Sequence, residues 1–141
     1  TKNDCLISGH NDNTNICIRA GHPCIGCASE NFPRQIMMRS FNDKRVIKKI
    51  GYQYWFVDKD FVDGRTLKMS VVKPHSQTHK PHFHEEDEFF FVIEGKAEFH
   101  LNGKTKIVDG YATFYCPPNS VHGIRNVGDT ELKYLVIKKL K

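Results

Sequence analysis

From about residue 50 onward, apolar and polar residues alternate with a period of two in short runs separated by turn residues. This is the pattern of strands with one buried face. Tyr52–Val57 is aromatic and β-branched and ends in Asp58-Lys59-Asp60, and Asp63-Gly64 marks a turn before Thr66–Lys73. A polar loop runs from Pro74 to about Pro81, followed by His82–His84 and Glu88–Ile93 as extended segments and Glu94-Gly95 as a turn. In Ala97–Leu101 the alternation is clean, with Ala97, Phe99 and Leu101 on one face and Glu98 and His100 on the other. Asn102-Gly103 suits a type I′ turn, whose two central residues both need positive φ. Lys104–Val108, Ala112–Cys116, Val121–Val127 and Glu131–Lys139 follow, with Asp109-Gly110 and Gly128-Asp129 as turns. About eight short strands with regular turns predict an all-β sandwich or barrel and exclude a βαβ sheet.

The first 45 residues differ. They are rich in Asn, Cys, Gly and Ser, show little periodicity, and carry one short helix-compatible stretch near Arg34–Phe41. Two regions are therefore expected: an irregular, Cys-rich N-terminal extension over residues 1–45 and a β domain over 46–141.

Chemistry concentrates in His82-Phe83-His84-Glu85-Glu86-Asp87-Glu88. Side chains two apart in an extended segment share a face, so His82 and His84 form half of a metal site. A straight strand would carry Glu88 roughly 13 Å beyond His84, whereas metal–ligand bonds are about 2 Å long. The chain must turn at Glu85-Glu86-Asp87. Glu88 then opens an almost continuous apolar run, Phe89-Phe90-Phe91-Val92-Ile93. If Glu88 faces inward with Phe90 and Val92, its buried carboxylate needs a cation. His122, after Pro117-Pro118-Asn119-Ser120-Val121, is the candidate fourth ligand from another strand.

His82-x-His84-x3-Glu88-x6-Gly95 resembles the first motif of the cupin superfamily, and Pro117-x-Asn119-x2-His122-x3-Asn126, preceded by Gly110, resembles the second. The likeness spans roughly residues 50–140. It implies a jelly-roll (double-stranded β-helix) barrel holding one divalent transition metal, Fe, Mn, Ni, Cu or Zn, on His82, His84, Glu88 and His122. Ser76 stands where the family usually has glycine, and Asn119 replaces a turn glycine, a position that Asn tolerates. The family includes dioxygenases, isomerases and epimerases, and lyases acting on small molecules. A metal-dependent enzyme of this kind is one expectation, and a non-catalytic binding or metal-sensing module is the other. Tyr52, Tyr54, Met69 and Arg125 are possible cavity neighbours, and His75 and His79 lie in a loop that could border the mouth.

Four of the five cysteines fall in the first 27 residues. The segment Ala20-Gly21-His22-Pro23-Cys24-Ile25-Gly26-Cys27, continuing through Ser29-Glu30 to Phe32, resembles the small subunit of nickel–iron hydrogenases. That resemblance implies Cys24 and Cys27, with Cys17 as third, as ligands of an iron–sulfur cluster, and so a redox cupin as a further reading. Chemically, the four thiols could hold zinc or an iron–sulfur cluster, or form two disulfides or stay free, and the disulfide or free-thiol outcome is the commoner one. Cys116, in an apolar strand, reads as a buried small hydrophobe.

The 21 basic and 16 acidic residues leave a net charge of +5, spread over Lys44-Arg45, Lys48-Lys49 and the tail Lys138-Lys139-Leu140-Lys141. No nucleic-acid-binding motif accompanies it, so no nucleic-acid partner is expected. No apolar run approaches the roughly 20 residues of a membrane span, and Thr1-Lys2-Asn3-Asp4 does not look like a signal peptide. The odd cysteine count also argues against a secreted disulfide framework. A cytoplasmic protein with a small-molecule ligand is expected. Outward Phe89, Phe91 and Ile93 need cover, which predicts a homodimer or, alternatively, burial under the N-terminal 45 residues.

Overall fold

The computed structural model describes residues 38–141 and two residue pairs upstream. The chain divides into Thr1–Met38 and Arg39–Lys141. In the first unit, β1 (Ile18–Arg19) pairs antiparallel with β2 (His22–Pro23). Cys17, Cys24 and Cys27 lie outside the described residues.

The second unit is almost entirely strand: β3 (Ile47–Lys48), β4 (Gly51–Val57), β5 (Arg65–Val72), β6 (Glu88–Glu94), β7 (Ala97–Leu101), β8 (Lys104–Val108), β9 (Ala112–Cys116), β10 (His122–Asn126) and β11 (Leu132–Lys139). They form a six-stranded sheet in the order β3-β4-β5-β11-β6-β9 and a three-stranded sheet in the order β10-β7-β8. Every pairing is antiparallel. The chain passes between the sheets at β6–β7, β8–β9, β9–β10 and β10–β11, as in a jelly roll, and the sheets do not close into one hydrogen-bonded cylinder.

Alternation decides what the sheets enclose. Phe90 and Val92 of β6, Leu132, Tyr134 and Val136 of β11, Ala97 and Phe99 of β7 and Ile124 of β10 meet in one buried core with Val72 and Cys116. Phe99 stacks on Phe114 with ring centroids 4.1 Å apart. The β7–β8 turn has Asn102 at φ 47 and Gly103 at φ 83, as its residues require. Gly95, at φ 95, lies against the Glu131 carbonyl, where a Cβ would not fit.

Two expectations change. Met38–Phe41 is not helical, and only Asp43–Arg45 makes a short 3₁₀ turn, capped by the Asn42 side chain. Tyr54 holds this segment open: its hydroxyl donates to the Ser40 carbonyl and accepts from the Asn42 N–H, and its ring lies 4.6 Å from Phe41. His82–His84 is not a strand but a single bridge, His82 with His122. Pro81 lacks the N–H that would extend the ladder upstream, and the chain bends at Glu85-Glu86 downstream.

Asn126 ties the sheets together. It is fully buried, and the two N–H bonds of its Nδ2 are shared among the carbonyls of Val72, Lys73 and Thr130 at 3.0, 3.1 and 2.7 Å while its Oδ1 accepts from the Gly128 N–H. Removing one side chain strands several buried polar groups at once. Asn126→Ala is expected to lower stability by roughly 2–3 kcal/mol, measured by urea unfolding; a loss under about 0.5 kcal/mol would show that this network contributes little.

Candidate metal centre

One end of the sandwich gathers the titratable side chains. Glu88 is the first residue of β6, Cys116 the last of β9, His122 the first of β10, and Lys138 lies near the end of β11. Strand register makes Glu88 the hub, since it stands opposite Cys116 on one side and Lys138 on the other. His82 reaches the cluster through its reciprocal backbone pairing with His122, at 3.0 and 2.9 Å. The β9–β10 loop is tied to the same segment, because the Asn119 N–H donates to the His84 carbonyl at 2.8 Å. Asn119 reaches that bond at φ 62.

The side chains converge. His122 Nε2 lies 2.6 Å and His84 Nε2 3.4 Å from Glu88 Oε1. Ligand atoms of His82, His84 and His122 lie within 4.8 Å of one another, and those of Glu88, Cys116 and His122 form a second such group that shares His122. The structure thus brings all four sequence-selected residues to one region, with His84 and His122 joining the outer His82 to the buried Glu88.

Each imidazole is oriented by backbone. Nδ1 of His122 faces the Ser120 carbonyl at 2.7 Å, Nδ1 of His84 the Glu86 carbonyl at 2.8 Å, and Nδ1 of His82, more loosely, the Lys80 carbonyl at 3.4 Å. A carbonyl only accepts, so each contact places a proton on Nδ1, and the neutral form of each ring then carries its lone pair on Nε2. Such outer contacts commonly fix the tautomer of metal-binding histidines. The short contact to Glu88 does not satisfy His122 Nε2. Although 2.6 Å long, it is not aligned as a hydrogen bond, and this buried nitrogen has no partner. The donor set therefore fits a divalent transition metal: nitrogen lone pairs and one carboxylate, with an orphaned buried nitrogen among them.

Electrostatics follow from the burial of Glu88. Desolvation works to raise its pKa, but contact with His122 and the charges of Lys138, His122 and His84 outweigh it and hold the carboxyl at about 2. Burial works to lower the pKa of His122, and Glu88 reverses this and leaves it raised. His82 is lowered, by burial and then by His122. Burial, with help from Glu88, pushes the Cys116 thiol up to about 12.

Sequence patterning did not single out Lys138, whose Nζ lies 3.3 Å from His84 Nε2 and 3.7 Å from Glu88 Oε2. It also left Cys116 out of the cluster. His79 packs edge-on against His82 with centroids 4.4 Å apart, whereas His75 pairs with Asp129. Tyr52, Tyr54 and Met69 point away from the core, because Gln53, Trp55, Lys68 and Ser70 take the inward positions of β4 and β5. Arg125 is exposed. A separate concavity of about 470 Å³ lies at the opposite end, between turns containing Gly95, Gly110 and Gly128, and no imidazole or thiol lines it.

Comparison with known proteins gives a consistent picture. Residues 68–138 match the model of the cupin domain, and residues 1–41 match that of the C-terminal region of the NiFe/NiFeSe hydrogenase small subunit. The H2HPP isomerase of Bacillus subtilis is 34% identical over 74 residues, which are 52% of this chain and 31% of that protein, so the chain spans under a third of that relative. A cupin 2 conserved barrel domain protein from Salinispora arenicola superposes with a TM-score of 0.62 at 19% identity, covering 74% of this chain and 89% of that one. The polyketide cyclase RemF from Streptomyces resistomycificus does so with a TM-score of 0.62 at 22% identity, covering 74% and 81%. With its jelly-roll topology and a domain match over half its length, the chain belongs to the cupin family.

Proposed function

We propose that the chain binds one divalent transition metal through His82, His84, Glu88 and His122 and acts as a metal-dependent enzyme on a small polar molecule. The observation that carries this reading is the Nε2 of His122, buried beside Glu88 without an aligned hydrogen-bond partner, in a ring whose Nδ1 faces the Ser120 carbonyl and whose neutral form therefore offers Nε2 to a metal. When bound, such a metal supplies Lewis-acid polarisation of a carbonyl or enolate, or a binding place for O2. Of the family's chemistries, isomerisation receives the most support, since the relative at 34% identity is an isomerase. Dioxygenase and lyase chemistry use the same donor set. The residues themselves orient and exclude: Phe90 and Phe99 close the apolar floor behind the histidines, and Lys138 brings a positive charge to the ligand side. The match over residues 1–41 favours a second reading, in which Cys17, Cys24 and Cys27 hold an iron–sulfur cluster or zinc that serves the cupin metal.

Metal and sulfide analysis of anaerobically purified protein tests both. One metal per chain is expected in the wild type, with most of it lost in His82→Ala and His122→Ala; unchanged stoichiometry in either variant refutes the site. Acid-labile sulfide with excess iron supports the second reading, and its absence removes it.

Glu88 makes a further prediction in chelator-treated protein. It ionises near 2 in the folded chain against an ordinary 4.5. The stabilisation it contributes is complete above about 4.5 and disappears as the pH falls toward 2, roughly 3 kcal/mol in all. His122, raised in the fold, stays protonated in both states over this range and does not alter the sign. Unfolding free energy should therefore fall more steeply between pH 4.5 and 2.5 in the wild type than in Glu88→Gln. Parallel slopes would show that Glu88 is not held ionised.

We also propose a homodimer through the outward face of the six-stranded sheet. Phe89, Tyr115 and Ile137 are 43%, 45% and 42% exposed there, and the Phe89 and Tyr115 rings lie 4.9 Å apart. Light scattering should give twice the chain mass, and Phe89→Lys should give a monomer; a monomeric wild type at high concentration refutes the pairing.

A further inference from the structure

The inward faces of β4, β5 and β11 carry charge that the metal site does not use. Buried Leu132, Tyr134 and Val136 set the parity of β11, so Lys138 is the next inward position. Buried Ser70 and Val72 set that of β5, so Lys68 faces the same way. Lys68 stands opposite Val136, which makes Lys68 and Lys138 diagonal neighbours, about 7 Å apart at Cβ. On its other side Lys68 stands opposite Trp55, with Nζ 5.2 Å from the ring centre.

The charges do not balance. Among the described residues, Glu88 is the carboxylate within ion-pair distance of Lys138, and Lys68 has none. Burial lowers the Lys68 pKa first; Glu88 raises it, while Lys138 and Lys49 lower it further. A divalent cation on Glu88 and the imidazoles would add two positive charges and repel the Lys138 ammonium from its present place. One carboxylate would then face a metal ion and two half-buried ammoniums. Partly desolvated charge of one sign needs a counter-charge, and a sheet face charged this way concentrates anions.

We propose that Lys68, Lys138 and Trp55 form a receptor for a small organic carboxylate whose unsaturated or apolar body rests on Trp55, beside the histidine cluster. The proposal deepens the metal-centre reading and names its substrate class. A carboxylate offers two acceptor oxygens on one carbon, one for an ammonium and one for the metal that the converging Nε2 atoms would hold. The indole suits an attached planar body. Lysine also binds phosphate as a point charge, but phosphate sites commonly add arginine forks or runs of backbone N–H groups. No arginine occupies an inward position of β4, β5, β6 or β11, and Arg39 and Arg45 pair with Asp58.

Trp55 is the chain's single tryptophan, so its fluorescence reports on this face of the sheet alone. Zinc-loaded protein, with zinc measured on the same sample, is quenched with iodide, caesium and acrylamide at constant ionic strength. Iodide is expected to quench at least threefold more strongly than caesium. Benzoate should protect saturably at concentrations at least tenfold below those at which benzamide or inorganic phosphate protects. Lys68→Gln should bring iodide and caesium within twofold while leaving acrylamide unchanged, Lys68→Arg should restore the iodide preference, and Lys138→Gln should weaken benzoate protection about tenfold. Equal iodide and caesium quenching in the wild type, benzamide matching benzoate, phosphate surpassing benzoate, or indifference to both lysine substitutions overturns the proposal. Charge-blind quenching with full zinc sinks the carboxylate receptor alone. Absence of zinc with the Lys68-dependent selectivity intact sinks the metal reading and supports the receptor.

Discussion

The burial of one carboxylate organises this end of the fold. The β6 strand turns Phe90 and Val92 into the core, and a period of two obliges Glu88 to point inward with them. An ionised carboxylate in such a place costs several kcal/mol unless positive or hydrogen-bonding groups surround it. The surroundings supply them from separate elements: His122 from β10, His84 from the loop before β6, and Lys138 from β11. The packing of the apolar strand and the polarity of the site are therefore one constraint. The core cannot form without committing Glu88 to this cluster.

Backbone contacts make the cluster rigid. His82 and His122 exchange two main-chain hydrogen bonds, and Asn119 fastens the β9–β10 loop to His84. Asn102 fastens the start of β10 from the other side, its N–H donating to the Val121 carbonyl and its Oδ1 accepting from the Val121 N–H. The residue that shapes the β7–β8 turn thus also positions His122. Carbonyls two residues from each histidine then set the ring tautomers. A site built on strand ends in this way holds its geometry better than one carried on free loops.

Much of this was legible in the residues, and the exceptions have physical causes. Ala97–Leu101, Lys104–Val108 and Ala112–Cys116 coincide with observed strands, because clean alternation and Asn-Gly or Asp-Gly turns bound them. The turn at Glu85-Glu86-Asp87 followed from bond lengths alone. What escaped was register. In β4 both faces carry large residues, and it is the polar Gln53 that lies buried inward while Tyr54 packs outward under Phe41. Hydrophobicity therefore points to the wrong face, toward Tyr52, Tyr54 and Met69 in place of Trp55 and Lys68. Lys138 had a usable signal. The run Leu132, Tyr134, Val136 leads directly to it, but a terminal lysine beside Lys139 and Lys141 reads as solvated tail.

The same point governs how the net charge is understood. A surplus of +5 spread along a chain implies little, since exposed lysines are screened and each contributes weakly. Placement changes the magnitude. The Lys138 side chain is only 25% exposed, and the Glu88 carboxylate it faces is 5% exposed, so this charge acts through a poorer dielectric than water. Two inward lysines therefore weigh more in ligand selection than the rest of the basic surface. Their influence is local, short in range and set by strand parity, which is why a whole-chain charge sum cannot detect it while a six-stranded register can.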